Sequence, residues 1–326
     1  MTHPHDLLDL GVHLDLREIL GLNLHLRCEG FNFAGSIKLR AARWLVDEAR
    51  AGGRLTRGSV LVESSSGNMG VALATVAAGY GLGFVCVTDS RCTPANLKMM
   101  RALGARVETV GDTGAPGGLL AARKARVQAL CAADPRYVWL DQYTNTASSR
   151  AHYETTAAYI AKAFPGLDVL FVGVGTGGTA SGCARYFAEN APHVRVVAVD
   201  AVGSVNFSPD AGPRRIPGLG AAVPMPLVDR GNYDDVVLVE EADTVRMCRR
   251  LAAAGLLLGG SSGTVVSAAR RWLGSHDPGQ RWTAVAIAPD LGERYLDTLY
   301  DDAWVRDAFP GVLPRESAGR AAADRC

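Results

Sequence analysis

Short apolar runs rich in valine and isoleucine alternate along this chain with longer segments whose apolar residues recur at helical spacing. "SVLVESS" runs into "MGVALATVAAGYG", "GFVCVTD" into "PANLKMMRALG", and "ARVETV" follows. Farther on come "LDVLFVGVG" with the helical "CARYFAEN" behind it, then "VRVVAVD" and "RWTAVAIAPD". Strands that are continuously apolar, with helices between them, predict an α/β fold of mostly parallel sheets buried on both faces. Gly104 and the pair Gly79 and Gly81 sit where helix C-caps belong. "GDTGAPGG", residues 111–118, reads as a flexible connection. "NFSPDAGPRRIPGLGAAVPMP", residues 206–226, is too long and irregular for a simple turn and reads as a site loop. The tail "RESAGRAAADRC" reads as frayed, and no repeat or coiled coil interrupts the pattern.

Length and composition narrow the class. At 326 residues the chain exceeds one small core, so two domains or one large α/β body are expected. Hydrophobic residues make up 48% and the net charge is +1, with Lys and Arg scattered. A nucleic-acid or membrane-surface role would need a concentrated basic face. The seven cysteines form no C-x-x-C, and several lie in apolar runs. They read as reduced core residues of a cytoplasmic protein. The opening "MTHPHDLLDLGVHLDL" carries acids where a secretory signal needs a basic stretch, and no run approaches the roughly eighteen apolar residues of a membrane span.

Within that frame four stretches carry candidate chemistry. "GVGTGGTASG" follows an apolar strand and opens a helix, and Gly173, Gly175 and Gly178 spell Gly-x-Gly-x-x-Gly. An acid, Asp200, ends the next strand about twenty residues on, as in a dinucleotide-binding site. The glycines let backbone wrap a phosphate, and Thr176 and Thr179 add hydroxyls. Lys38, in "FNFAGSIKLRAARWLVDEA", opens a helix among apolar residues, where burial lowers a lysine's pKa and frees its amine for Schiff-base chemistry. "ESSSGNMG", residues 63–70, gathers hydroxyls, Asn68 and free N–H groups at a helix start that suits a carboxylate or phosphate. "LLLGGSSGTVVSA" sets Ser261 and Ser262 before another helix. Alone, each has an ordinary explanation as a solvated lysine, an N-cap or a glycine turn. No metal-ligand spacing is present.

Taken as a set and in this order, "GSIK", "SSGN", "GTGGT" and "GGSSG" resemble the β-replacement family of pyridoxal-phosphate enzymes, among them cysteine synthases and cystathionine β-synthases. The likeness runs over residues 24–304. "TPANLKMMRALGARVE", "AVDAVGSV", "IPGLGA" and "PDLGERYLDTLYDDAW" are similar to one branch, the N-(2-amino-2-carboxyethyl)-L-glutamate synthases. The chain departs from the family in three places. "LGVHLDLREI" stands where "GNTP" is usual, Leu39-Arg40 replaces Asp-Arg, and Met69 replaces a threonine.

The resemblance implies a fold-type II (tryptophan synthase β-like) enzyme of two three-layer domains. The smaller, mobile one spans residues 31–145; the larger combines 1–30 with 146–326. It implies pyridoxal 5'-phosphate on Lys38, the phosphate on Gly175, Thr176, Gly177, Gly178 and Thr179, the ring hydroxyl near Asn68, and the pyridine nitrogen on Ser261. The substrate carboxylate would fall to Ser65, Ser66, Gly67, Asn68, Met69 and Gln142. Arg214 and Arg215 are candidates for a leaving phosphate. His152 and Tyr153 are expected near the second-substrate side, with His152 as packing. The implied reaction joins an activated serine, favouring O-phospho-L-serine, to L-glutamate through an aminoacrylate, in a pathway to 2,3-diaminopropionate for a siderophore or peptide antibiotic. The implied partners are small amino acids, a second copy in a homodimer, and an NAD-dependent dehydrogenase acting on the product. The alternatives are a cysteine synthase using sulfide, a non-catalytic pyridoxal-phosphate-binding protein, or an NAD-binding protein, which would leave Lys38 and "SSSGN" without a role.

Overall fold

The computed structural model describes residues 1–112, 114 and 117–313; residues 314–326, with Cys326, and three positions of the 111–118 connection lie outside the described residues. Among the described residues ten strands form two sheets. Strands β1 (His13–Asp15), β2 (Leu24–Cys28), β7 (Val169–Gly173), β8 (Arg195–Ala201), β9 (Asp235–Val239) and β10 (Ala284–Ala288) make a six-stranded sheet in the order β1-β2-β10-β7-β8-β9. Strands β3 (Val60–Ser64), β4 (Gly83–Asp89), β5 (Arg106–Val110) and β6 (Tyr137–Trp139) make a four-stranded one in the order β5-β4-β3-β6. Every pairing is parallel except β1 with β2.

Strand alternation shows why the apolar runs are continuous. In the small sheet Val62, Val85 and Val87 pack with Val127 and Leu130 of the helix Gly118–Ala133, while Leu61, Phe84 and Cys86 face the helices Lys38–Ala51 and Asn68–Tyr80. In the large sheet Val169, Phe171, Val197 and Val199 pack on the helix Gly260–His276. Leu170, Val172, Val196 and Ala198 pack on the helix Gly178–Asn190. Both sheets are thus covered on both faces, the three-layer arrangement that such runs require.

The segment in place of "GNTP" forms β1, antiparallel to β2, and lies over a buried ionic cluster. Glu29 accepts from Arg27 Nε and Arg40 Nε, each at 2.9 Å, with Arg27, Glu29 and Arg40 all buried. Asp9 completes the cluster by pairing with Arg27 and, at 3.6 Å, with Arg40. Arg40 lies on the first turn of the helix Lys38–Ala51, so this cluster pins that helix to β2. Gly81 is left-handed at the end of the helix Asn68–Tyr80, as expected, whereas Gly79 lies inside that helix. A Cβ there would come within 2.4 Å of the His5 ring, so Gly79 serves packing and not capping.

Removing Glu29 would leave two buried guanidinium groups short of their shared carboxylate. Glu29→Ala is therefore expected to lower unfolding free energy by about 3–5 kcal/mol in a denaturant titration. A loss below about 1 kcal/mol would place the cluster among exposed ion pairs of little consequence.

Candidate active site

In parallel α/β sheets ligands gather beyond the carboxyl ends of the strands. Four loops of this chain begin there. β2 leads to Lys38, β3 to Ser65–Asn68, β7 to the glycine turn, and β10 to Asp290. Isolated bridges Ser36–Asp290 and Leu258–Leu291 tie the β10 loop to the lysine loop and to the segment before Ser261.

Lys38 is the first residue of its helix and half-buried, and its ammonium has no hydrogen-bond or ion-pair partner among the described residues. Desolvation by the surrounding protein lowers its pKa, the direction that leaves a nucleophilic amine. Arg40, two residues on, is ion-paired with Glu29 and Asp9, so the chain compensates one cation of this turn and not the other.

The glycine turn is shaped by close backbone approaches. A Cβ on Gly175 would lie 2.7 Å from the Gly218 carbonyl oxygen, and Gly177, at φ +94°, caps the helix Gly178–Asn190. The N–H groups of Gly175, Thr176 and Gly177 donate to no acceptor among the described residues. Thr179 Oγ1 lies 3.2 Å from His152 Nε2. Asp200 is buried and engaged internally by Ser204 Oγ at 2.6 Å, its own following N–H and Asn206. Burial pushes its carboxyl up to about 6. It is sealed in structure and does not present itself to a ribose.

Ser261 sits at the start of the helix Gly260–His276 and is buried. Its hydroxyl lies 2.3 Å from where a Cβ on Gly218 (φ +111°) would stand, so the 216–221 loop runs across both Ser261 and the glycine turn. Arg214 Nη1 donates to Leu219 O at 3.0 Å and so braces that loop, while its Nε is buried without a partner among the described residues. Arg215 is exposed, its backbone N–H bonded to the Glu241 carboxylate. The structure therefore separates the pair: Arg214 braces the 216–221 loop and Arg215 lies at the surface.

In the serine loop, Ser65 Oγ accepts from the N–H groups of Gly67 and Gly70 at 3.2 and 3.0 Å, acting as a cap for the helix Asn68–Tyr80. Ser66 is half-exposed with its hydroxyl and N–H unengaged, and Gly67 borders open space. The Met69 side chain is buried in the core of the smaller layer system, so only its backbone can face the loop. Gln142 Nε2 donates to Ser64 O at 3.0 Å.

Four residues absent from the sequence-derived set organise these loops. Asn68 Nδ2 donates to Asp290 Oδ2 at 2.7 Å, and the same carboxylate accepts from Tyr295 Oη at 2.5 Å. Arg294 donates to Asn68 Oδ1 and to Ala34 O, joining the serine and lysine loops. Glu63, at the end of β3, accepts from Ser64 N, Trp139 Nε1 and Gln142 N. Asp290, Arg294 and Tyr295 fall within "PDLGERY", but nothing local to that stretch points at Asn68, two hundred residues away. Tyr153 bonds Glu189 at 2.6 Å and faces away from the loops. The six described cysteines are free, and burial pushes every one of those thiols up.

Comparison with known proteins adds three findings. The family of pyridoxal-phosphate dependent enzymes matches residues 12–290. An N-(2-amino-2-carboxyethyl)-L-glutamate synthase of Ralstonia nicotianae is 43% identical over 281 residues, 86% of this chain and 82% of that protein. One from Cupriavidus metallidurans is 39% identical over 312 residues, covering 94% and 92%. Among solved structures, a variant of O-ureido-L-serine synthase with O-ureido-L-serine bound superposes with a TM-score of 0.84 at 31% identity, over 94% of this chain and 98% of that one.

Burial pushes the Glu63 carboxyl up to about 7 in spite of its three N–H donors. A carboxyl raised above its unfolded value of 4.5 stabilises the fold fully below that pH and loses the contribution as pH rises through about 7. The loss is on the order of 3 kcal/mol. Glu63→Gln should flatten this decline in unfolding free energies measured between about pH 5 and pH 8; an unchanged slope in the variant would assign it to other groups.

Proposed function

This chain belongs to the pyridoxal-phosphate dependent enzyme family, with the fold-type II architecture, and from that premise we propose that it joins O-phospho-L-serine to L-glutamate by β-replacement, giving N-(2-amino-2-carboxyethyl)-L-glutamate. The residues present fit the cofactor. Lys38 supplies an amine without a counter-ion, the Gly175–Thr179 turn supplies unengaged N–H groups at a helix start, and Ser261 supplies a buried hydroxyl near that turn. The partnerless Lys38 amine where four strand-end loops converge is the observation that carries the reading.

On this reading Lys38 would hold the cofactor, Gly175, Thr176, Gly177, Gly178 and Thr179 its phosphate, Ser261 its ring nitrogen and Asn68 its ring hydroxyl. When bound, pyridoxal phosphate supplies an electron sink that makes the substrate's Cα–H acidic and its β-substituent expellable. The chain's own residues do the rest. Ser66 and the loop N–H groups of Gly67, Asn68 and Met69 orient the substrate carboxylate at the positive end of the helix Asn68–Tyr80. Ser65 and Gln142 hold the loop's shape, since their hydrogen bonds are made within it. Lys38 Nζ removes the α-proton and later returns it. Ser261 offers a hydroxyl where a carboxylate would favour a protonated pyridine, which disfavours prolonged carbanion chemistry. Arg214, which braces the 216–221 loop, is the better candidate to meet a departing phosphate, since Arg215 is exposed. We further propose a cytoplasmic homodimer whose residues 31–145 close over substrate, feeding a dehydrogenase that releases 2,3-diaminopropionate for a siderophore or peptide antibiotic.

The purified protein is expected to absorb in the visible range and Lys38→Ala to lose that band. Incubated with O-phosphoserine, L-glutamate and sulfide together, the wild type should yield the glutamate adduct by mass spectrometry. Cysteine as sole product would reassign it to sulfide chemistry, and reduction of a nicotinamide cofactor would revive the dinucleotide reading.

A further inference from the structure

His152 is a packing residue by sequence, expected near the second substrate; the structure sets it behind the glycine turn instead. It opens a π-helical segment, His152–Ala157, inserted between the helical turns Ala147–Ala151 and Ala158–Ala163. That segment lies hard against the helix Gly178–Asn190. A Cβ on Gly182 would come 2.2 Å from Ser149 O and 2.9 Å from His152 Cβ, and one on Gly178 would come 2.9 Å from Ser148 Oγ. Wider π turns recur at functional sites because they re-aim side chains that a regular helix would point elsewhere.

The imidazole is 1% exposed, and both ring nitrogens face threonine hydroxyls. Nδ1 lies 2.9 Å from Thr156 Oγ1, and Nε2 lies 3.2 Å from Thr179 Oγ1. Burial above all, with the fixed charge of Arg40 and that of Lys38 when protonated, lowers its pKa well below the ordinary histidine range and keeps the ring neutral. A neutral imidazole donates from one nitrogen and accepts at the other. If Nε2 accepted from Thr179, that hydroxyl proton would be spent inside the protein. If Nε2 donates, Thr179 is left with its proton free for an acceptor in the glycine turn, and Thr156 must donate to Nδ1.

We infer that His152 is a positioning residue whose Nε2–H, fixed by the Thr156 hydroxyl, turns Thr179 into a hydrogen-bond donor toward the phosphate of the bound cofactor. The inference rests on the reading of Gly175–Thr179 as a phosphate cup. It adds a buried relay, Thr156 to His152 to Thr179, that extends the cup beyond its glycines. The order of donors is what a dianion demands: Thr156 gives to His152, His152 gives to Thr179, and Thr179 gives forward.

The test is equilibrium binding of pyridoxal phosphate, and of pyridoxal lacking the phosphate, to protein from which cofactor has been dialysed. His152→Leu is expected to weaken pyridoxal phosphate about tenfold while leaving pyridoxal within about twofold, the loss of one charge-assisted hydrogen bond. Thr179→Val should cost a similar factor, and the double variant no more than either single one. His152→Gln, whose Nε2 can take the same donor position, should restore most of the affinity. Thr156→Val, a smaller change that keeps the ring, should weaken pyridoxal phosphate more than pyridoxal and covers the case in which His152→Leu does not fold. Equal losses for both ligands, or additive losses in the double variant, would overturn the relay. A wild type that binds neither ligand would instead overturn the cofactor assignment itself.

Discussion

Two cations share the first turn of one buried helix, and the chain treats them oppositely. Arg40 is enclosed and paired with Glu29 and Asp9, while Lys38, two positions before it on the same turn, has no partner among the described residues. A half-buried ammonium without compensation costs free energy, and that cost lowers the Lys38 pKa toward the neutral amine. The neighbouring ion cluster is what makes this arrangement tolerable. It anchors the helix to β2 from beneath, so that Lys38 stays at the strand ends and cannot relax into solvent.

Around that amine the loops are joined through places where a side chain would not fit. Gly218 lies against both Gly175 and Ser261, and Gly259 lies against Asp290, whose carboxylate would be 1.9 Å from an added Cβ. Asp290 then reaches Asn68 and Tyr295, and Arg294 reaches Asn68 and Ala34. Glu63 does the same work at the back of the serine loop, holding Ser64 and Gln142. The site is thus a set of strand-end loops braced by a second layer of buried carboxylates and one guanidinium, consistent with an enzyme whose reacting groups need fixed positions.

Much of this was legible along the chain because it is local. Continuous apolar runs such as "GFVCVTD" could only be strands covered on both faces, and that run coincides with β4. Glycine turns at helix starts announced the loops. What stayed hidden depends on long-range geometry. The three-residue strands β1 and β6 are too short to show a period, and β1 is defined by its antiparallel register with β2. Gly79 resembles a cap until His5 is seen against it. Arg214 and Arg215 are alike in sequence and differ only in which carbonyl or carboxylate the fold brings near. Met69 reads as a loop residue, yet helix phase turns it into the core. His152 depends on a π turn that no propensity reveals.

The central claim is that Lys38 is the attachment point for pyridoxal phosphate. Borohydride reduction of the purified protein followed by peptide mapping tests it most directly. The account predicts a reduced pyridoxyl-phosphate adduct on the peptide containing Lys38 and on no other lysine. An adduct on a different lysine, or full occupancy of cofactor with no adduct at Lys38, would contradict it.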